Sequence, residues 1–280
     1  MPSFDTPEPI SVTAHVGAGS VRLVAADRPD TVVEVRPRDP KRDKDLRAAE
    51  QTEVTCTNGV LTVRTKERYL FGPTGLVDVT VELPTGSRVD ATGSWTQVLG
   101  EGRLGDVRVK TSGGDVRLDT TGPLQLTASH GSITVDRVEG RAEITSSFGS
   151  LRVGTVDGPA VLKNSHGTTT VGATTGDLRV SGANGDITIA DAGGSVVATT
   201  AHGALRVSEV SGGTVQLETS YGAIEVGIRE GVATWLDVSS EHGQVRNTLD
   251  ASEAPGQSED TVEVRARTRW GNIDIRRARA

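Results

Sequence analysis

The chain has 280 residues, a formal net charge of −7 and an aromatic content of only 3%. Because basic residues gather nowhere except in the last five positions, we expect no nucleic acid partner. No apolar run approaches the roughly 20 residues of a membrane span, and the first twelve residues lack the basic and apolar regions of a signal peptide. A single cysteine, Cys56, permits no disulfide within the chain. These features predict a cytoplasmic protein without a membrane span.

Residues 1–87 alternate apolar and polar side chains in patches, but they show no fixed period. The patches lie at Val21 to Leu23, Val32 to Val35, Val54 to Cys56 and Leu61 to Val63. We predict an irregular N-terminal β cap, continuous with the repeats that follow, which covers the first open strand edge. Within the cap, the run RDPKRDKDLRAAE at residues 38–50 predicts one short surface helix.

Glycine then recurs every nine residues through ten positions. These are Gly122, Gly131, Gly140, Gly149, Gly158, Gly167, Gly176, Gly185, Gly194 and Gly203. Between them, apolar and polar side chains alternate, as in Ile133-x-Val135 and Leu178-x-Val180, which indicates strands with one buried face. A glycine among the turn residues permits the positive φ that a tight corner needs. Self-similarity at a short fixed period is typical of a solenoid.

The residue before each glycine is of two alternating kinds, so the structural repeat has eighteen residues. One kind is Thr121, Glu139, Asp157 or Thr175, and the other is His130, Phe148, His166, Asn184 or His202. Two strands and two corners per repeat, stacked at about 4.8 Å, predict two parallel sheets that face each other across a thin core. The predicted fold class is an all-β, single-stranded parallel β-solenoid, or β-helix, of about 18-residue, two-sided coils. It covers residues 88–280 and forms one elongated domain with the cap.

A column of small residues recurs two places before the glycine in one kind of half-coil. Its members are Ser129, Ser147, Ser165, Ala183, Ala201 and Ser220. We interpret the column as inward-facing, because a larger side chain would force the two sheets apart at a cost of about 1–3 kcal/mol.

Downstream the spacing loosens, although the alternation persists. It continues at Val215-x-Leu217, Ile224-x-Val226, Leu236-x-Val238, Val262-x-Val264 and Ile273-x-Ile275. The longest insertion, Leu249 to Asp260, is polar and predicts a mobile loop at a corner. The charged finish RRARA at residues 276–280 is expected to protect the last strand edge.

The histidines are the first candidates for chemistry, because four of them precede a corner glycine. His130, His166 and His202 are thirty-six residues apart, so about 9.6 Å separates each pair. Zinc ligands lie only about 2.0–2.1 Å from the ion, so we expect no metal site and favour a column of corner residues that stack on one another. The alternative is a binding column facing outward, which suits sugars or a protein surface. Its candidate residues are His130, Phe148, His166, His202, Tyr221, His242 and Trp270.

Other motifs carry no chemistry. Calcium-binding nonapeptides need an aspartate two places after a glycine, whereas aspartate here follows glycine directly, as at Asp177 and Asp186. The segment GEGRLG at residues 100–105 matches a dinucleotide fingerprint but continues into a strand rather than a helix. An outward column of arginine, threonine and acidic residues, including Arg152, Thr170 and Arg206, is interpreted as a solvated face. We therefore predict no cofactor, no metal and no catalytic residue.

Several segments resemble the bacterial family of β-strand-repeat domains called putative adhesins, particularly its actinobacterial members. They are VDVTVELPTGS at 77–87, GRLGDVRVKTSGGDVRL at 102–118, GPAVLKNSHG at 158–167, TGDLRVSGANGDITI at 175–189, REGVATWLDV at 229–238 and WGNIDIR at 270–276. The resemblance covers nearly the whole chain. It implies a single-stranded β-solenoid with no known catalytic residues.

The leading functional hypothesis is a non-enzymatic interaction scaffold, adhesin-like, whose protein or carbohydrate ligand lies along the histidine and aromatic column or at a solenoid end. The second is self-assembly, in which open strand edges join chains end to end into homo-oligomers. The third is a carbohydrate-active enzyme, which would need two carboxylates about 5–9.5 Å apart on one face. The outward carboxylates are mostly spread over separate coils or sheets, so we expect the chain not to be an enzyme.

Overall fold

The computed structural model describes residues 2–65, 75–249 and 261–278. The chain divides into two compact units, residues 1–139 and 140–280. In both units, parallel strands stack as coils, which confirms the predicted all-β solenoid. The predicted loop at 249–260 lies, beyond Leu249, outside the described residues, as do the last two residues of the RRARA finish.

The described residues of the first unit form twelve strands and one helix. They are β1 (Ser3–Asp5), β2 (Ser11–His15), β3 (Ala18–Ala26), β4 (Asp30–Pro37), α1 (Asp43–Glu50), β5 (Glu53–Thr57), β6 (Val60–Arg64), β7 (Val77–Pro84), β8 (Arg88–Arg103), β9 (Val107–Gly113), β10 (Val116–Thr121), β11 (Leu124–His130) and β12 (Ile133–Val138).

In the second unit, fourteen strands lie within the ranges that the structure describes. They are β13 (Ala142–Phe148), β14 (Leu151–Val156), β15 (Ala160–His166), β16 (Thr169–Thr174), β17 (Leu178–Asn184), β18 (Ile187–Ala192), β19 (Val196–His202), β20 (Leu205–Val210), β21 (Gly213–Tyr221), β22 (Ile224–Ile228), β23 (Ala233–His242), β24 (Val245–Asn247), β25 (Thr261–Trp270) and β26 (Ile273–Arg277).

The second unit has the predicted eighteen-residue repeat. Ala160 pairs with Leu178, and Leu178 with Val196, in the sheet of odd-numbered strands. The sheet of even-numbered strands keeps the same step, from Thr169 to Ile187. Alternate residues of both sheets are buried, and they form a core of valine, leucine, isoleucine and alanine. Alternation at period two therefore sets which side of each strand faces the core.

The small-residue column does not face the core, so that interpretation was wrong. All six residues are half-buried or exposed, whereas the residues one place earlier point inward. Ser146, Asn164, Thr200 and Thr219 are buried at those inward positions. The chain turns outward at the corner before it reaches the glycine. Both residues that precede the glycine therefore lie at the surface. The overpacking penalty belongs one residue earlier in each coil.

The last two coils are not stacked in chain order. Strand β25 pairs with β21 on one side and with β23 on the other, so the final coil lies between the two that precede it. Strand β26 lies between β22 and β24 in the same way. The expectation that the charged C-terminus protects the last edge was therefore wrong, since the outermost described strands of this unit are β23 and β24.

Parallel stacking in the first unit begins inside the predicted cap. Strands β2 and β3 both pair in parallel with β8, which runs through a corner and belongs to both sheets. The outer strands are different, because β5 pairs antiparallel with β6 and β1 antiparallel with β4. The N-terminal ends of the two sheets are therefore built from antiparallel pairs rather than from parallel coils. The cap boundary at residue 87 stays a prediction.

The predicted surface helix is present as α1. Its Asp45 is buried, and the carboxylate accepts hydrogen bonds from the backbone N–H groups of Leu76 at 2.9 Å and Asp39 at 3.2 Å. Buried carboxylates need such donors, because an unsatisfied charge away from water is costly. Asp45 therefore ties the helix to the start of β7.

Candidate functional site

One corner of the second unit carries an aligned row of rings, which we call the aromatic column. Its rungs, in spatial order, are Phe148, His166, Asn184, His202, Tyr221, Trp270 and His242, each paired in register with the next. Six steps of about 4.8 Å make the column about 29 Å long. Because β25 lies between β21 and β23, Trp270 comes before His242 in space, although it comes after His242 in the sequence. His166 and His202 lie two strands apart, as their spacing in the sequence predicts.

A buried polar side chain holds the corner beneath many of these rungs. It stands three residues before the corner glycine, and it donates a hydrogen bond to the carbonyl of the glycine one coil below. Thr219 bonds to Gly203 O at 3.1 Å, and Thr268 bonds to Gly222 O at 3.0 Å. A short polar side chain at this place satisfies a carbonyl that would otherwise be buried without a partner. The rungs thus stand on a rigid, hydrogen-bonded corner.

The rings stack as three pairs. Phe148 and His166 have ring centroids 4.6 Å apart and planes inclined by 13°. The values are 5.0 Å and 2° for His202 with Tyr221, and 4.0 Å and 23° for His242 with Trp270. Each pair joins one histidine to one larger ring, and Asn184 separates the first pair from the other two. The expectation that the corner residues stack on one another is confirmed for these pairs.

The aromatic column is exposed to solvent. The exposed fraction is 47% for Phe148, 51% for Tyr221 and 51% for Trp270. Within each pair, the partner covers one face of each ring. The surface that a ligand can reach therefore includes the ring edges. These edges include imidazole nitrogens, a phenol hydroxyl and an indole N–H, which donate or accept hydrogen bonds. The column therefore offers polar groups at strand spacing between patches of apolar ring surface.

His130 and Trp95 occupy the corresponding corner of the first unit. Trp95 pairs with Gly113, and the β9–β11 register, continued by two residues, brings His130 beside Gly113. The Nδ1 atom of His130 lies 3.3 Å from Ser112 O. The Trp95 ring lies against Gly113, where a β-carbon would come within 2.5 Å of it. The place of Trp95 at this corner could not be predicted from the sequence, because the nine-residue glycine spacing does not extend back to this residue.

The outward arginine and threonine column of the second unit contains an ion-paired cluster around Arg206. Arg206 lies 3.2 Å from Glu225 and 3.4 Å from Asp186. The hydrogen bond to Glu225 raises the pKa of the Arg206 guanidinium above its ordinary value. Exposed pairs of this kind contribute little to stability, typically about 0–1 kcal/mol. This arrangement agrees with a solvated face.

The described parts of the chain contain neither a metal-binding cluster nor a membrane-spanning helix. No group of three or more histidine, cysteine, aspartate or glutamate side chains is placed there to hold a metal ion. Nor does any helix in those ranges have the length and apolar character needed to cross a bilayer.

Stacked parallel coils with a displayed corner column define a β-solenoid protein. The Toastrack DUF4097 family model matches residues 10–276, so the chain belongs to that family. No match was found among curated proteins.

Three solved structures are similar to the chain. A putative adhesin from Parabacteroides distasonis is 13% identical, over 98% of this chain and 95% of that one, with a TM-score of 0.42. A putative adhesin from Bacteroides fragilis is 12% identical, over 98% and 95%, with a TM-score of 0.38. A putative adhesin from Parabacteroides merdae is 14% identical, over 98% and 94%, with a TM-score of 0.38.

Proposed function

We propose that the chain is a non-enzymatic, adhesin-like binding scaffold whose partner, a protein surface or a carbohydrate, contacts the aromatic column. The observation that carries the proposal is the placement of the aromatic residues. Among the described residues, all three tryptophans, Phe148 and Tyr221 are exposed, and the buried core contains no aromatic side chain. Folding leaves about half or more of each of these five side chains exposed to solvent.

Exposed rings in a row are a favourable binding surface. Aromatic side chains bring large contact area with few rotatable bonds, and they are enriched among residues that dominate binding energy. Stacking on a neighbour fixes each ring before a partner arrives, so less side-chain entropy is lost on binding. The polar edges and Asn184 supply hydrogen bonds that orient the partner. Cytoplasmic location and kinship with the actinobacterial members of the family remain predictions from sequence.

Replacing Phe148, Tyr221 and Trp270 together with alanine is expected to weaken partner binding at least about tenfold, because each pair loses its larger ring. The measurement is binding of the purified protein to a glycan array and to proteins of the native cell extract. A matched control is Trp235→Ala, since Trp235 is also exposed but lies away from the column on β23. Circular dichroism must show that all variants fold. Equal binding by the folded triple variant would contradict the proposal.

Self-assembly is a second candidate, favoured by the open edge at β23 and β24. In the next coil, Val264 and Ile273 are fully buried, but their register partners Leu236 and Val245 are half-buried and exposed. Among the described residues, β23 pairs only with β25, so its other edge has unpaired backbone groups. An edge of this kind can be covered by the same edge of a second copy, which gives a two-fold dimer.

Light scattering over a concentration series is expected to show a mass rising from 29.3 kDa toward twice that value. Val245→Lys should hold the mass at the lower value, because a lysine at the edge opposes strand pairing. Val60→Lys is the matched control, since Val60 is 43% exposed and Val245 is 42% exposed, but β6 has strands on both sides. A constant monomer mass for the unmodified chain would remove this candidate.

A further inference from the structure

A second surface of the first unit has the features of a ligand site. Six strands of one sheet contribute one outward residue each to a transverse row, and each is the register partner of the next. In spatial order the row is Glu53, Arg64, His15, Thr92, Lys110 and Thr127. Neighbouring residues are about 4.8 Å apart, so Arg64 and Lys110 are separated by about 14 Å.

The row lies in a cleft of about 1010 Å³. Hydroxyl-bearing side chains line much of the cleft, among them Ser94, Ser112 and Ser129. Of the described residues that line it, Glu53 is the only acidic one and Val16 the only apolar one, and Val16 is fully buried. The volume is that of a small-molecule or oligomer site, although the lining is more polar than usual.

The basic side chains of the row are available to a ligand. The side chains of Arg64, Lys110 and His15 are exposed, and they make no ion pair or side-chain hydrogen bond within the described parts of the chain. Elsewhere in the same unit arginines are commonly paired, as Arg22 is with Glu101 and Arg103 with Glu139. Unpaired cations inside a cleft attract anions without first breaking a protein ion pair.

We propose that this cleft binds an acidic polysaccharide, a hydroxyl-rich chain that carries carboxylates. Arg64 can donate two parallel hydrogen bonds to one carboxylate, and Lys110 can donate to a second carboxylate further along the row. The serine and threonine hydroxyls both donate and accept hydrogen bonds, which suits sugar hydroxyls. Val16 is the one apolar side chain among the described lining residues, and it is buried, which disfavours a helical or apolar peptide. The site is separate from the aromatic column, and the proposal does not depend on the column's function.

Trp95 adds a sugar-binding feature beside the cleft. It follows Ser94, a lining residue, and at 67% it is the most exposed large hydrophobic residue of the described chain. Because Gly113 has no side chain, the indole can lie across the strand. An exposed indole provides a platform on which a pyranose ring can stack. An acidic chain that leaves the cleft at Ser94 would meet this ring.

The test is binding of oligogalacturonate, by calorimetry at low ionic strength, to the whole protein and to two charge-reversed variants. Arg64→Glu with Lys110→Glu should reduce affinity at least about tenfold. Arg88→Glu with Arg108→Glu is the matched control, because both residues are exposed on the same sheet but do not line the cleft. Either double variant reverses two charges and takes the net charge from −7 to −11. The control should therefore change affinity less than about threefold if the cleft is the site.

One further ligand and one further variant separate recognition of the sugar from recognition of its charge. Polyglutamate of equal length should bind at least about tenfold more weakly than oligogalacturonate, and Trp95→Ala should weaken only the oligogalacturonate complex. Failure of the unmodified protein to bind oligogalacturonate would overturn the proposal. So would equal losses in the two double variants, or equal binding of polyglutamate, since either result would mean that charge alone is recognised.

Discussion

An alanine at Gly185 is expected to lower the free energy of unfolding by about 3–6 kcal/mol. Gly185 has φ +134°, a conformation that residues with a β-carbon rarely adopt, and an added β-carbon would lie 2.2 Å from Gly167 O. The clashing atom belongs to the backbone of the coil below, so it cannot move without displacing that coil. Gly203 repeats the arrangement, with its added β-carbon 2.1 Å from Gly185 O. Because domains are stable by only about 5–15 kcal/mol, much of the solenoid's stability would be lost.

Urea unfolding followed by far-ultraviolet circular dichroism measures this effect, and Gly212→Ala provides the control. An added β-carbon at Gly212 would meet no atom within 4 Å, and its φ lies outside the strained range. Its substitution should change stability by less than about 1 kcal/mol, and the sign can be favourable. If Gly185→Ala unfolded at the same urea concentration as the unmodified chain, the close stacking of corner glycines would be wrong.

The repeat could be predicted from sequence because two local signals coincide. Alternation at period two reports the buried face of a strand, and a glycine at each corner reports the positive φ of Gly167 or Gly185. Both signals depend only on neighbouring residues. The eighteen-residue register follows from these two signals. Each coil must place its apolar residues directly above those of the coil below to bury a continuous core.

The order of the last coils could not be predicted in the same way. Every coil shows the same apolar pattern, so Leu236, Val264 and Leu217 are equivalent by sequence, and nothing local says which coil contacts which. The inward position at the corner was also missed, because Ser146 and Asn164 are polar and give no apolar signal, whereas the small residue after each suggests close packing. Strict alternation from Ile144 would place Ser147 outside and Phe148 inside. Both residues are in fact at the surface, since the chain turns outward between Ser146 and Gly149.

The aromatic column could be predicted because its members precede the repeating glycines. The cleft of the first unit could not, because its row joins strands β5, β6, β2, β8, β9 and β11, which have no common spacing. Arg64 and His15 are distant in sequence and become neighbours only through a parallel pairing within the predicted cap. Irregular segments of a repeat protein are thus where sequence periodicity says least and where a separate binding site can develop.

Asn164→Ala is expected to destabilise the second unit by about 2–4 kcal/mol. The buried Nδ2 group donates to Gly149 O at 3.1 Å and to Gly167 O at 3.2 Å, so it joins the corner glycines of two successive coils. Removing the amide group deprives the carbonyls of Gly149 and Gly167 of this hydrogen-bond donor, and it also leaves a small cavity. The Oδ1 atom has no partner within the described structure, so its loss returns a part of that energy.

Two further variants separate the hydrogen bonds from the loss of an amide side chain. Asn184→Ala makes the same chemical change at an exposed rung of the aromatic column, so stability should change by less than about 0.5 kcal/mol. Asn164→Thr should recover part of the loss, because Thr219 bonds to a corner glycine carbonyl from the equivalent position. Equal destabilisation by the threonine and alanine variants would mean that packing, rather than donation to the glycine carbonyls, holds the corner. Recovery by threonine would show that the rungs Phe148 and His166 stand on corners fixed by this hydrogen bond.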